Sequence, residues 1–113
     1  KYGGTTPEET YRMFLDALRN KNIDLASKYF ILDKQEEYKK ALYEVEKNDK
    51  WGLMMEDLNR VDTARWEKIA DDYVNLELFN QDNVLAEQIT FVLMGNILPP
   101  KTTISNIWKI ASF

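Results

Sequence analysis

The side chains able to do acid–base or nucleophilic chemistry form a narrow set. There is no histidine and no cysteine among the 113 residues, so thiolate catalysis, disulfides and cysteine-based zinc sites are excluded. Proton transfer falls to carboxylates, Lys or Tyr. The adjacent Asp71-Asp72 could hold one perturbed carboxylate if buried against Trp66 or Tyr73; the competing reading is a solvated turn or bulge. Glu77 is the remaining carboxylate that a base could use. Asp82, between Asn80 and Asn83, offers side-chain oxygens to a cation, but the spacing lacks the central Gly and terminal Glu of a calcium loop, and a plain turn explains it. Glu8-Glu9 fits a helix start and Glu36-Glu37 a solvated helix face. Gly3-Gly4 is not followed by the Lys-Ser/Thr of a phosphate-binding loop. No metal or cofactor is expected.

The second kind of chemistry open to this chain is apolar binding. Tyr11, Phe14, Leu18, Tyr29, Trp66, Phe91 and Trp108 are the candidate ligand-binding residues. They could line a pocket or fill a core; a pocket needs void volume and a few convergent polar groups. Met54-Met55 beside Trp51 reads either as an adaptable contact surface or as helix-to-sheet packing.

Positioning these residues takes regular elements, and the composition supplies them. Hydrophobic residues make up 44% and Gly and Pro number only 4 and 3, a globular composition with short connections. The length suits one domain: a flexible lead-in over 1–5 and a single unit over 6–113. A net charge of −4 weighs against nucleic acid, whose binding needs clustered Lys and Arg to release counterions. No apolar run approaches the roughly 18 residues that cross a bilayer. The opening Lys1-Tyr2-Gly3-Gly4 lacks an initiator Met, which fits removal of a signal peptide or anchor and equally fits a start chosen for expression.

Thr6 is placed to cap a first helix, with Pro7 at its first position and Glu9 completing a capping box. Tyr11, Phe14, Leu15 and Leu18 follow at helical spacing. Asn22 caps a second helix over Ile23–Phe30 that buries Leu25, Ala26, Tyr29 and Phe30. Asp33 with Glu36 starts a third, whose inward face is Tyr38, Ala41, Leu42 and Val45. Trp51, Met54, Met55 and Leu58 mark a fourth over Lys50–Asn59. After Arg60 the period changes to two. Val74, Leu76 and Leu78 share one face of a strand over Tyr73–Phe79. Leu85, Ile89, Phe91 and Leu93 share one face of Val84–Met94. Ile104, Trp108 and Ile110 share one face of Ile104–Phe113. Asn80–Asn83 supplies a hairpin turn, and Pro99-Pro100 a corner before the last strand. Thr63–Asp72 fits both strand and helix; we favour a strand running into Tyr73–Phe79, bent or bulged near Asp71-Asp72. Helices first and antiparallel strands afterwards is the α+β layout, with the N-terminal helices packed on a curved, cone-like sheet.

The blocks Pro7-Glu8-Glu9, Phe14-Leu15-Asp16-Ala17-Leu18-Arg19-Asn20-Lys21-Asn22-Ile23-Asp24 and Tyr29-Phe30, with the closing Trp108-Lys109-Ile110, resemble the nuclear transport factor 2-like superfamily. This is the cystatin-like α+β cone shared with ketosteroid isomerase and polyketide-cyclase-like proteins. The resemblance implies a cavity at the open end of a sheet wrapped around the first helix. Isomerases of this fold place a Tyr oxyanion donor on that helix; the matching position here is Phe14, which cannot donate. Hydratase-like members use a His-Asp pair, and this chain has no His. Such domains also serve as extracytoplasmic modules of bacterial lipoproteins, and Lys1–Thr5 looks like the end of a tether. The expectation is therefore a non-enzymatic binding or interaction module of the cell envelope, taking a small apolar ligand or a protein partner. The alternative is a small isomerase or lyase with a carboxylate base in the cone; a third reading is a purely structural domain. Thr90, Val92, Met94, Ile107 and Phe113 leave the outer sheet face partly apolar, which suggests a homodimer through that face.

Overall fold

Thr6 starts the first helix as its side chain dictates: its hydroxyl accepts the Glu9 N–H at 3.1 Å, and α1 runs Pro7–Arg19. Glu9 reaches back one residue further than a capping box requires and accepts from the Thr5 N–H at 2.7 Å. The computed structural model describes residues 2–60, 64–98 and 103–113, with the side chains of 95–98 and 103–106 left aside. The apolar stripe Tyr11, Phe14, Leu15 and Leu18 is buried, joined by Thr10 and Ala17. Beyond Arg19 the chain turns at Lys21, whose φ of 52° is left-handed, and the Asn22 N–H closes back on the Ala17 carbonyl at 2.9 Å. This is the usual way a helix end satisfies its free carbonyls.

Asn22 caps α2, accepting from the Leu25 N–H at 3.2 Å, but α2 covers only Ile23–Ser27. The expected continuation to Phe30 gives way to sheet pairing. The Ile110 N–H donates to the Tyr29 carbonyl at 2.8 Å, and the Ile31 N–H donates to the Ile110 carbonyl at 2.9 Å. Phe30 thus forms a parallel bridge with Ile110. The expected cap at Asp33 is also replaced. A 3-10 turn covers Leu32–Lys34, and α3, Gln35–Lys47, begins without a side-chain cap. Along α3 only Leu42 is buried; Tyr38 and Val45 are half-buried, and Ala41, expected on the inward face, is exposed. α4 is Trp51–Leu58, with both end residues buried.

The sheet is a meander in the order β1-β2-β3-β4, with β1 Arg65–Ala70, β2 Tyr73–Phe79, β3 Leu85–Leu98 and β4 Thr103–Ser112, all neighbours antiparallel. The ambiguous segment is a strand, but it does not bend into the next one. Asp71-Asp72 reverses the chain, and Ala70 pairs with Tyr73. Thr63 and the Pro99-Pro100 corner lie outside the described residues. The Asn80–Asn83 turn forms as expected: the Asn80 side chain accepts from the N–H groups of Asp82 (2.9 Å) and Val84 (3.0 Å), and Asn83 adopts φ 61°.

Of the three register shifts in the described strands, two correct the alternation expected for β3 and β4. Leu78 pairs with Glu87 but Phe79 with Leu85, so Leu85 turns out of the core face and is 46% exposed. Thr90 pairs with Ser112 but Phe91 with Ile110. Phe113 accordingly leaves the outer face assigned to it and packs its ring inward on Phe14, Phe30 and Tyr38.

The architecture is α+β, with the N-terminal helices packed on one face of an antiparallel sheet. Phe14, Leu18, Ala26, Phe30, Leu42 and Leu58 from the helical half meet Leu76, Leu78, Ile89, Phe91 and Ile110 from the strands, all fully buried. Ahead of α1, Gly4 is tied to β4 and to Thr10. The Trp108 N–H donates to the Gly4 carbonyl at 2.9 Å, the Gly4 N–H to the Thr10 hydroxyl at 2.8 Å, and that hydroxyl to the Trp108 carbonyl at 2.9 Å. Gly3 is required there, because a Cβ would collide with the Ile107 side chain and the Trp108 carbonyl.

Candidate ligand-binding cleft

The residues named as pocket candidates all belong to or pack against one core. Tyr11, Phe14, Leu18, Tyr29, Phe91 and Trp108 are all buried, and Trp66 is half-buried against the same core. Tyr11 meets Trp66 and Phe91 edge-on at 6.2 and 6.1 Å between ring centroids, and Trp66 lies 5.5 Å from Phe91. Phe14 stands edge-on to Phe30 at 5.5 Å. These are the offset geometries that aromatic rings prefer in a filled core. Tyr11 and Trp66 also border a cleft of about 310 Å³ between α1 and β1, with Glu8, Arg12 and Arg19 around it.

A larger cleft, about 350 Å³, opens between α3, α4 and the sheet, and none of those candidates lines it. α3 contributes Tyr38, Ala41, Leu42 and Val45; α4 and its cap contribute Lys50, Leu53, Met54, Asp57 and Leu58; β3 contributes Glu87, and Phe113 closes one side. Its origin is local. The exposed Ala41 provides too little side chain to fill the gap between the helices, and Leu53 is left 61% exposed. Tyr38 is held in place by stacking on Phe30 at 4.4 Å and by accepting the Phe113 N–H at 3.1 Å. Met54 and Met55 pack against the core, as the helix-to-sheet reading expects, and Met54 also lines the cleft.

The electrostatics of the cleft centre on Glu87. It pairs with Leu78 and stands on the same strand face as Ile89 and Phe91, which are fully buried. Burial pushes its carboxyl above the usual range, and the charge of Asp57 pushes it further in the same direction. No hydrogen bond or ion pair to another described residue offsets this. Asp57 pairs with Arg60 at 3.5 Å. Sequence reasoning passed over Glu87, although the signal was present: positions 87, 89, 91 and 93 alternate onto one face, and Glu87 is the charged member.

The carboxylates singled out from the sequence go elsewhere. Asp71 is 99% exposed and pairs with Lys68 at 3.0 Å, and Asp72 is exposed in the same turn. Glu77 is 14% exposed but accepts from the Arg65 Nε at 2.7 Å. Asp82 lies exposed in the Asn80 turn. A further charged group ties α2 to α3: Lys39 and Tyr43 donate to Asp24 at 3.2 and 3.1 Å. Those hydrogen bonds, Lys39's first, hold its carboxyl below the usual range. It is solvent-exposed, and its role is to join the helices. Among the described residues, no cluster of three or more acidic side chains is placed to hold a metal, and no helix is long and apolar enough to cross a membrane.

In comparisons with known proteins, no family model, no curated protein and no solved structure matches this chain.

Proposed function

We propose that this protein is a non-enzymatic binding module whose site is the cleft between α3, α4 and the sheet, and that its ligand is small and largely apolar. The observation that carries this reading is the contrast between a filled aromatic interior and an open cleft of about 350 Å³ walled by Ala41, Leu42, Val45, Leu53 and Met54. That volume is at the lower end of the range for small-molecule sites, which combine apolar walls with a few polar groups. Kinship with the nuclear transport factor 2-like superfamily and a place in the cell envelope belong to the same proposal; their support is the sequence resemblance and the layout of helices on one sheet face.

The test is titration with the neutral apolar fluorophore Nile red. Wild-type protein is expected to bind it, and Ala41→Trp, which fills the cleft from an exposed helix position, to weaken binding by at least about tenfold. Equal binding by the two proteins overturns the assignment. The rival reading, an isomerase or lyase with a carboxylate base, now rests on Glu87, since Asp71 and Asp72 are solvated and Glu77 is paired with Arg65.

A further inference from the structure

Resting on that cleft assignment, we propose that the ligand carries a protonated amine, held at the sheet side of the cleft by Glu87 with Asp57, while its apolar part lies on α3 and α4. The argument starts from an imbalance. Glu87 comes from a strand face otherwise committed to the core, and lines the cleft beside Asp57. Glu87 is half-buried, and an ionised carboxylate partly withdrawn from water is favoured by hydrogen-bond donors or an opposite charge. Among the described residues Glu87 forms no hydrogen bond or ion pair, and the charge that acts on it is that of another acid, Asp57. A ligand ammonium supplies both missing things, a positive charge and N–H donors, and charge-assisted hydrogen bonds of this kind are among the strongest available.

The other polar groups facing the cleft agree with this polarity. Lys50, at the cap of α4, lines the cleft, but forms no ion pair with Glu87 or Asp57 among the described residues. Tyr38 presents a neutral hydroxyl already engaged with the Phe113 N–H. The charged lining is therefore two acids against one base, and since Arg60 pairs with Asp57 at 3.5 Å, Glu87 is the acid without a counter-ion among the described residues. An anionic ligand reaching Lys50 has both acids to face; a cationic one has its counter-ions in place.

The experiment displaces Nile red from the wild-type protein and from Glu87→Gln with octylamine, octanol and octanoate at neutral pH. For wild type, octylamine is expected to displace the dye at about one tenth of the octanol concentration, with octanoate weakest. In Glu87→Gln the amine preference disappears while octanol displacement is unchanged. Because the substitution removes a half-buried, unpaired charge, the variant is expected to fold, and a cooperative melting curve is the check. Lowering the pH of the wild type through the raised Glu87 carboxyl pKa should erase the preference in the same way, since protonation removes the counter-ion; Asp57 and Lys50 are the other charges facing the site, and Asp57→Asn, which leaves Glu87 in place, should retain part of it. The inference is overturned if octanol equals octylamine, if octanoate is strongest, or if the preference survives in Glu87→Gln. Should the dye and all three chains fail to bind, the cleft assignment falls as well; dye and octanol binding without discrimination removes only the amine.

Discussion

Tyr11 carries two roles in one side chain. Its ring lies in the core, and its hydroxyl donates to the Leu58 carbonyl at 2.5 Å, across 47 positions of sequence. Leu58 is the last residue of α4, where carbonyls have no partner within the helix, so Tyr11 acts as a cap supplied by another element. Tyr11→Phe is expected to cost about 1–2 kcal/mol, read as a lower urea midpoint with an unchanged slope. Burial, and to a smaller degree the charge of Glu87, raise the Tyr11 phenol. A folded-state pKa above the unfolded one means that the stabilisation is complete below about pH 10 and is lost as the pH rises above it. In an alkaline ultraviolet titration Tyr11 should therefore ionise only as the protein unfolds. At this scale the sequence was partly legible. Helical spacing marked Tyr11, Phe14 and Leu18 as inward, and strand alternation could have marked Glu87. The partners of Tyr11 and Thr10 were not legible, because each lies on an element remote in sequence.

At the scale of elements, local chemistry was read correctly at Thr6, Asn22 and Asn80 but not at Asp33, and long-range pairing was not. Thr6 and Asn22 cap their helices because the N–H groups they accept from are three residues away. α2 ends at Ser27 because Ile110, on the last strand, captures the Tyr29 carbonyl and the Ile31 N–H. Nothing within Ile23–Phe30 announces that competition. The outward turn of Leu85 has the same cause, since the register is decided across two strands rather than along one. Gly52 offers a clean test of local propensity. It lies in the first turn of α4, and a Cβ there would meet no atom within 4 Å. Gly52→Ala should stabilise the protein by about 0.5–1 kcal/mol by restricting the unfolded chain, visible as a higher urea midpoint. Nile red affinity should stay within about twofold, because no cleft wall is altered.

At the scale of the whole molecule, the strands pair in chain order, yet the two halves are closed by β4. Its residues Trp108 and Ile110 hold Gly4, Thr10, Tyr29 and Ile31 through backbone and hydroxyl hydrogen bonds, Thr10 and Trp108 being 98 positions apart. A chain ending at Leu98 lacks every one of these bonds and should show no cooperative urea transition; a synthetic peptide of residues 103–113 added in trans should restore one. The layout of helices before strands was legible from the change of period after Arg60, whereas the clasp was not, since Gly3-Gly4 gave no sign of docking. That clasp has a consequence for biosynthesis. The ribosome delivers α1 first and its cover last, so at about 5–20 residues per second the oily side of α1 stays naked for roughly 5 to 20 seconds. Newborn chains of this protein spend that interval as clients for whatever holds sticky polypeptides apart.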